Sequence, residues 1–247
     1  MIYNDYYIQY KKLIYDNNVG HLFTKKNLNF NYNLIKESEI NKNFDCLKEK
    51  TNYDFNYIKG CEQTHSNNVK IVDLKNINDK IENCDGLITN IKKVALITKN
   101  ADCQSILLYD PINKVIGNIH SGWKGTLNTI ILNAIDIMIN EFNSQKSNIL
   151  IFISPCIHSC CFEVDYDVMT LFKNKFENIN NYISNEKNGK YFIDTIKLNK
   201  ELLINYGLKE SNIYDSNICT KCNCDIFHSY REEKENSGRN IALIYLK

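Results

Sequence analysis

The chain has 247 residues, with 30 Lys+Arg against 29 Asp+Glu, so its formal net charge is +1 with the histidines neutral. This balance argues against a dedicated nucleic-acid-binding protein, which carries a clustered basic excess. At 43% hydrophobic and 24% charged residues, the composition is typical of a folded protein with a substantial core. Since no linker or repeat divides the sequence, we expect residues 1–247 to form a single domain.

Hydrophobic periodicity predicts the secondary structure in chain order. Strands are expected over 93–98, 105–109 and 114–120, the last two forming a hairpin around the turn 110–113, then a helix over 126–142 and a strand over 148–154. Helices follow over 165–176 and 195–206, the second ended by Gly207, and a buried strand over 240–246. The polar stretch 178–190 is expected to be a long surface loop. Strands that alternate with helices, with one hairpin among them, predict a layered α/β (α+β) domain with mixed β-sheets.

The apolar runs are far shorter than a membrane span, and no basic and then apolar leader opens the sequence. We therefore expect a cytoplasmic protein with no membrane attachment, no nucleic-acid partner and no obligate protein partner. The ten cysteines are then expected to be reduced thiols, some of which could bind a metal.

Three residues from separate predicted loops are candidates for a metal site. His65 lies in a polar segment, Cys103 lies between two predicted strands, and His120 ends a strand before a glycine-flanked turn. Two imidazoles and a thiolate suit Zn²⁺, and three protein ligands leave a position for water, as in catalytic zinc sites. The spacing matches no local zinc motif, so on spacing alone two solvated histidines and a buried cysteine are the favoured interpretation.

A second candidate is the segment that holds Cys219, Cys222 and Cys224. Its Cys-x-x-Cys is either a zinc half-site or a redox pair. No second Cys-x-x-Cys completes four ligands, and the adjacent Cys160 and Cys161 are expected to be too close together to act as one. The sequence therefore favours a cysteine segment without metal.

Cationic residues near predicted turns are candidates for anion binding. Lys124 precedes a predicted helix, and Arg231 and Arg239 lie in C-terminal loops; helix N-termini and arginine forks suit phosphate, and a solvated surface charge is the alternative for each. The signatures of zinc nucleobase deaminases, Walker loops and dinucleotide-binding turns are absent. Five histidines without a His-x-His pair do not suffice for a multicopper centre.

Six ordered motifs together resemble a known family. They are Gln63-Thr64-His65, Cys84-Asp85-Gly86-Leu87-Ile88-Thr89, Ala101-Asp102-Cys103, His120-Ser121-Gly122-Trp123-Lys124-Gly125, Ser154-Pro155-Cys156-Ile157 with Phe162-Glu163-Val164, and Cys219-Thr220 with Phe227-His228-Ser229-Tyr230-Arg231 and Gly238-Arg239. From about residue 20 to the C-terminus, the chain resembles the polyphenol oxidase or laccase-domain family, regarded as purine nucleoside phosphorylases with adenosine deaminase activity.

The resemblance implies that His65, Cys103 and His120 bind zinc, and that the single domain has the laccase-domain fold shared with CNF-type toxin catalytic domains. It also implies an enzyme whose partners are purine nucleosides and phosphate. The implied reactions are phosphorolysis of adenosine, inosine and S-methyl-5′-thioadenosine, and deamination of adenosine. Some members of the family have been described as copper-dependent phenol oxidases or as peptidoglycan editing factors.

This sequence departs from the family pattern where phosphate is expected to bind. Lys26 stands where the family has the arginine of Phe-Thr-x-Arg, and Lys124 replaces the arginine of Gly-Trp-Arg-Gly. We expect Lys26, Lys124 and Arg231 to converge on the phosphate, with Lys26 acting as a point charge without a bidentate fork. Gln63 and Ser229 are further candidates for substrate binding.

The catalytic assignment leaves alternatives open. Asp102 is a candidate proton carrier, but on a regular strand it would point away from the face that Cys103 uses, so a structural role is equally open. A cysteine hydrolase with Cys103 as nucleophile and His120 as base would need no metal. A binding protein without turnover is a third alternative.

Overall fold

Two six-stranded sheets and one three-stranded sheet form the framework of the protein. This computed structural model describes the backbone of residues 1–247 and all side chains apart from those of residues 184–186. The strands are β1 (Ile2–Tyr3), β2 (Tyr7–Gln9), β3 (Val19–Thr24), β4 (Tyr57–Lys59), β5 (Val69–Ile71), β6 (Gly86–Thr89), β7 (Val94–Asn100), β8 (Gln104–Asp110), β9 (Val115–Ser121), β10 (Leu150–Ile153), β11 (Glu163–Val164), β12 (Ile183–Lys187), β13 (Lys190–Ile193), β14 (Ile213–Asp215) and β15 (Asn240–Leu246). The helices are α1 (Lys11–Ile14), α2 (Glu37–Thr51), α3 (Trp123–Leu127), α4 (Ile130–Phe142), α5 (Tyr166–Lys175), α6 (Thr195–Asn205) and α7 (Tyr230–Glu233), with 3₁₀ turns at Ile179–Tyr182, Glu210–Asn212 and Lys234–Asn236.

The strand order is β1-β2-β3-β15-β7-β4 in the first sheet, β14-β10-β8-β9-β6-β5 in the second and β11-β13-β12 in the third. Both large sheets are mixed: β4 runs parallel to β7, and β5 and β14 run parallel to β6 and β10. The other neighbours in these sheets are antiparallel, including the central pairs β15·β7 and β8·β9. The predicted layered α/β domain with mixed sheets is confirmed.

The two large sheets pack face to face, and each is covered by helices on its outer side. Leu96 and Ile244 of the first sheet share a buried cluster with Leu107 and Phe152 of the second. On the outside, α2 covers the first sheet, and α4 and α6 cover the second. Because both faces of the central strands are buried, β8, β9 and β15 are buried along their whole lengths. Such strands appear in the sequence as nearly continuous apolar runs.

Most of the predicted elements are present. The 105–120 hairpin is β8 and β9, and the Asp110 carboxylate caps its turn by accepting hydrogen bonds from Ile112 N at 2.8 Å and Asn113 N at 3.2 Å. The predicted helices over 165–176 and 195–206 are α5 and α6, and Gly207 has the positive φ of +98° expected after a helix. The C-terminal strand has the predicted bounds.

Two predictions of secondary structure are wrong. The helix over 126–142 is interrupted: α3 ends at Leu127, and Thr129 has a left-handed φ of 54° before α4 begins. The polar stretch 178–190 is not a long loop, because β12 and β13 form an antiparallel hairpin there. Among the residues that the structure describes in full, no helix combines the length and the apolar character that a membrane crossing requires.

Candidate metal centre and active site

The ends of several strands surround a cavity of about 700 Å³. Its floor consists of the turn between β7 and β8 and the segment that follows β9, while residues 30–33 and the loops after β10 and β14 form its walls. Aromatic side chains of Tyr32, Trp123, Phe162 and Tyr230 line it. Cavities of this size that combine apolar and polar lining are typical of small-molecule sites.

The fold brings His65, Cys103 and His120 together at the floor of this cavity. Their ligand atoms all lie within 4.8 Å of one another, and the Cys103 Sγ is 3.9 Å from His65 Nε2. His120 is buried near the end of β9, Cys103 directly precedes β8, and His65 lies in the exposed segment between β4 and β5. The three residues that the sequence suggested as a metal site are therefore neighbours, and one side of the group faces the cavity.

Asp85, directly before β6, organises two members of this group. Its buried carboxylate accepts hydrogen bonds from His120 Nδ1 at 2.8 Å and from the His65 backbone N–H at 3.1 Å. It also accepts from the Ser66 N–H and hydroxyl and the Thr64 N–H. Because Asp85 occupies Nδ1 of His120, the Nε2 atom of that ring remains to bind a metal, which is the usual arrangement around metal-bound histidine. The same contacts hold His65 at its left-handed φ of 58°.

Mutual electrostatics favour ionised groups here in spite of burial. Burial disfavours the Cys103 thiolate, but the charge of His120 and hydrogen bonds from His120 and His65 outweigh it and lower the pKa of Cys103 to about 6. Burial likewise opposes a charged His120, while the Cys103 thiolate and Asp85 raise the pKa of His120 to about 9. Asp85 is ionised because hydrogen bonds from His120 and Ser66 overcome burial and lower its pKa to about 2. A thiolate and two imidazoles can together bind a metal cation, and binding releases a proton from these groups.

Gly122 leaves the space that the metal group requires. A Cβ atom at this position would lie 2.8 Å from His65 Cδ2 and 3.1 Å from Cys103 Sγ, closer than ordinary van der Waals contact. Its φ of −75° is one that any residue adopts, so the constraint is steric and comes from the two side chains. The His120-Ser121-Gly122 turn is therefore shaped by the approach of the other two loops.

Asp102 does not lie on a regular strand. It has a φ of 86° in the turn between β7 and β8, and its carboxylate is turned toward the C-terminal loops. Oδ1 accepts a hydrogen bond from Thr220 Oγ1, and Oδ2 accepts one from the Arg231 N–H, both at 2.6 Å. Both carboxylate oxygens thus fasten neighbouring loops beside Cys103. These contacts support a positioning role for Asp102.

Only some of the other predicted substrate-binding residues line the cavity, and Ser229 is buried outside the described lining. Gln63 and Arg231 line the cavity, whereas the described lining does not include Lys26, Lys124 or Ser229. The Lys26 ammonium is 2.5 Å from the Glu233 carboxylate and donates to a backbone carbonyl. Lys124 is exposed, and its ammonium lies over the Trp123 ring. The expected convergence of Lys26, Lys124 and Arg231 is therefore not seen, since attraction to Glu233 holds Lys26 elsewhere.

Other cations take their place in the cavity. Lys99 at the end of β7 and Arg239 before β15 line it together with Arg231. Gln63 fixes the main chain next to Lys99, donating to the Lys99 carbonyl at 2.7 Å and accepting from its N–H at 2.8 Å. Burial and the charge of Arg239 lower the pKa of Lys99, which indicates that the two cations are close to each other.

Sequence reasoning missed Asp85, Lys99 and Tyr32. Asp85 was visible as part of a motif, but its acceptor role depends on β6 lying beside β9. Lys99 sits next to the Asn100 that ends β7, and nothing in its local pattern distinguishes it from a surface lysine. Tyr32 is exposed, and the Lys99 ammonium lies 4.9 Å from its ring centroid. All three become recognisable only when the strand ends and residues 30–33 are assembled.

Comparison with known proteins identifies the class to which this fold and site belong. The family model described as multi-copper polyphenol oxidoreductase laccase matches residues 20–247, and the chain belongs to this family. A purine nucleoside phosphorylase of Borreliella burgdorferi is 35% identical over 206 residues, covering 81% of this chain and 86% of that protein. The adenosine deaminase RL5, from an unknown prokaryotic organism, is 31% identical over 193 residues, covering 75% of this chain and 73% of its own.

Comparison with solved structures agrees with this family assignment. The crystal structure of the Bacillus licheniformis hypothetical protein YfiH superposes with a TM-score of 0.90 at 25% identity, covering 99% of this chain and 97% of that chain. The predicted family and laccase-domain-like fold are confirmed. The expectation of an enzyme is confirmed at the level of the family, because the curated relatives are named as enzymes.

The donor set fits a single metal ion. Three protein ligands of the types His, Cys and His suit zinc with an open position, and two histidines with one cysteine also occur in mononuclear copper sites. Among the described side chains, the other group with metal-binding geometry consists of four cysteines and contains no histidine. A cluster of several histidine-bound copper ions therefore has no counterpart in the described residues.

Proposed function

We propose that this protein is a zinc-dependent purine nucleoside phosphorylase that also deaminates adenosine. The observation that carries the proposal is one cavity that contains the His65–Cys103–His120 group, an aromatic lining and three cations. Adenosine, inosine and S-methyl-5′-thioadenosine are the proposed nucleoside substrates, and phosphate is the second substrate. The named activities of the relatives support the same assignment.

The cavity offers separate surroundings for the parts of such a substrate. In phosphorolysis, the bond between the purine nitrogen and C1′ of the ribose breaks, and a phosphate oxygen forms the new bond to C1′. The flat base requires an apolar surface, which the rings of Trp123, Phe162 and Tyr230 can supply by stacking. The phosphate requires fixed positive charge, which lowers the energy of charge that develops during the transfer.

We assign the phosphate contacts to Arg231, Arg239 and Lys99. Two Arg231 hydrogen bonds restrain its guanidinium, since Nη1 donates to the Cys161 carbonyl at 3.3 Å and the Glu163 carbonyl at 3.0 Å. A restrained guanidinium presents its remaining N–H groups in a planar fork that suits phosphate. Arg239 is restrained in the same way by the Ser237 and Gly238 carbonyls.

His65, Cys103 and His120 would hold the zinc ion. When bound, zinc supplies Lewis acidity, which polarises a substrate oxygen or lowers the pKa of a water molecule. Asp85 keeps His120 in the orientation that directs Nε2 to the cavity, and Gly122 leaves the space for the ligands. In deamination, water replaces the 6-amino group of adenosine and ammonia leaves. That reaction needs no phosphate, so it should not depend on the cations.

The test is to incubate the purified protein with adenosine at several phosphate concentrations and to separate the products. Adenine that rises with phosphate indicates phosphorolysis, and inosine that does not depend on phosphate indicates deamination. The Cys103→Ala variant should form neither product, and elemental analysis should find that it has lost the metal from this site. Full activity in that variant, or no turnover of any of the three nucleosides by the metal-loaded wild type, would overturn the assignment.

A cysteine hydrolase is a second candidate, because the Cys103 Sγ lies within reach of two imidazoles. In this function Cys103 would attack a carbonyl carbon and His120 would carry the proton. Iodoacetamide distinguishes the two functions. A nucleophilic thiol reacts in protein as purified, whereas a zinc-bound thiolate is protected until a chelator removes the metal.

A further inference from the structure

Four cysteines from two loops meet outside the cavity. Their sulfur atoms, those of Cys160, Cys161, Cys219 and Cys222, all lie within 4.8 Å of one another. The Cys222 Sγ is 3.4 Å from that of Cys161 and 3.6 Å from that of Cys160. The expectation that nothing completes the Cys219–Cys222 pair is therefore wrong. Cys160 and Cys161 are adjacent in the sequence, so their spacing does not predict a half-site. The fold nevertheless brings both of their sulfur atoms to the Cys219–Cys222 pair.

The backbone holds the two loops in register. The loop after β10 and the loop after β14 form a parallel bridge at Cys156 and Cys219. The Cys156 N–H donates to the Ile218 carbonyl at 3.2 Å, and the Thr220 N–H donates to the Cys156 carbonyl at 3.0 Å. Main-chain hydrogen bonds thus bring the four sulfurs together without depending on the thiols themselves.

The sulfur spacing matches a tetrahedral metal site. A Zn–S bond of about 2.3 Å at tetrahedral angles places neighbouring sulfurs about 3.8 Å apart, and the distances at Cys222 are within a few tenths of an ångström of this value. A disulfide would require about 2.0 Å. Four sulfurs that all lie within 4.8 Å of one another correspond to the Cys₄ donor set of structural zinc sites.

A backbone donor is directed at one of the four sulfurs. The His158 N–H donates to the Cys219 Sγ at 3.5 Å. Backbone N–H groups directed at sulfur are typical of the outer shell around metal-bound cysteine.

We propose that Cys160, Cys161, Cys219 and Cys222 bind a second, structural metal ion of the zinc class. All four ligands come from the protein, so no position is open for water or substrate, and the ion would have no catalytic role. Binding requires deprotonated thiols and therefore releases protons. The site is independent of the function proposed for the cavity.

Its position shows what the ion would stabilise. The Cys161 carbonyl accepts a hydrogen bond from Arg231, and Thr220, between two of the ligands, donates to Asp102. Phe162 follows the ligand pair and lines the cavity. The metal would therefore fasten together the two loops that form one wall of the cavity, with Arg231 held between them.

The test is the metal content of protein purified without oxygen and without added chelator. We expect two zinc ions per chain in the wild type and one each in Cys222→Ser and Cys161→Ser. Cys224→Ser is the matched control, since it lies two residues beyond Cys222 but outside the group, and it should retain two ions. X-ray absorption of Cys103→Ala, or of His65→Ala if that variant does not fold, should show a zinc ion with four sulfur neighbours at about 2.3 Å.

These measurements do not depend on activity. If the three-ligand site is empty, the wild type should hold one ion and Cys222→Ser none, and the proposed four-cysteine site still stands. Zinc content in Cys222→Ser and Cys161→Ser equal to that of the wild type would overturn the proposal. It would also be overturned by a Cys161–Cys222 disulfide, seen by mass spectrometry, in protein that takes up no metal after reduction.

Discussion

Replacing Asp85 by asparagine should weaken metal binding at the three-ligand site by about 10- to 100-fold. The carboxylate accepts five hydrogen bonds: Oδ1 from His120 Nδ1 and the His65 N–H, and Oδ2 from the Ser66 N–H, the Ser66 hydroxyl and the Thr64 N–H. Asparagine offers one acceptor oxygen in place of two. In either orientation its amide group therefore faces at least one backbone N–H donor.

The magnitude follows from the lost contacts. A hydrogen bond to a charged group contributes about 1.5–3 kcal/mol, and His120 would lose both the anion that fixes its tautomer and part of its basicity. A 10- to 100-fold loss of affinity corresponds to about 1.4–2.7 kcal/mol, so it is equivalent to one such contact. The remaining acceptor oxygen should retain part of the loop geometry, which is why the predicted loss is not greater.

The assay is a competitive zinc titration against a chromophoric chelator, in the Cys222→Ser background so that the three-ligand site is measured alone. Asp110→Asn is the matched control, because Asp110 is an equally buried carboxylate that caps the turn at the far end of the β8·β9 hairpin. Both variants should unfold at lower urea concentrations, but only Asp85→Asn should change the zinc Kd. A Kd for Asp85→Asn within twofold of the control would refute the argument that this carboxylate orients the ligands.

Three further predictions concern space, pH and phosphate. Gly122→Ala should lose metal, because its Cβ would lie 2.8 Å and 3.1 Å from atoms of two metal-site residues, whereas Gly125→Ala, with no contact closer than 3.3 Å, should retain it when both are measured by elemental analysis. Burial lowers the pKa of His21 to about 3, so the unfolded state binds one more proton between the unfolded value of 6.5 and about 3. Stability should therefore fall with decreasing pH across this window by up to about 1.4 kcal/mol per pH unit, and His21→Asn should show a smaller slope in urea unfolding. Arg239→Lys should raise the KM for phosphate without changing phosphate-independent inosine formation, and an equal rise in Lys26→Ala would instead favour the surface lysine as the ligand.

The sequence predicts those elements whose pattern arises from one-sided or complete burial. The strand β15 is buried on both faces and appears as one apolar run, so its bounds follow directly from composition. Thr129 interrupts a continuous apolar stripe through its backbone conformation, which hydropathy does not encode. The hairpin of β12 and β13 was missed because β12 is polar, and because the stretch assigned to a loop ends at Lys190, where the more apolar β13 begins. Asn188 and Gly189, with φ of 53° and 75°, are the local signal for its turn.

Prediction of the candidate site from the sequence is limited in a different way. The resemblance carried by the ordered motifs pointed to His65, Cys103 and His120, whereas the arrangement of the cations depends on partners elsewhere in the chain. Lys26 was expected to bind phosphate, yet its ammonium pairs with Glu233, two residues after Arg231, and Lys26 is not part of the described cavity lining. Lys99 belongs to β7, and Arg239 directly precedes β15, its neighbour in the first sheet. The register pairs Asn100 with Asn240 and Lys99 with Ile241, so Arg239 lies two residues along the chain from the residue opposite Lys99. The motifs contain Arg231 and Arg239 but not Lys99, and the meeting of all three cations beside the metal group depends on strand pairing.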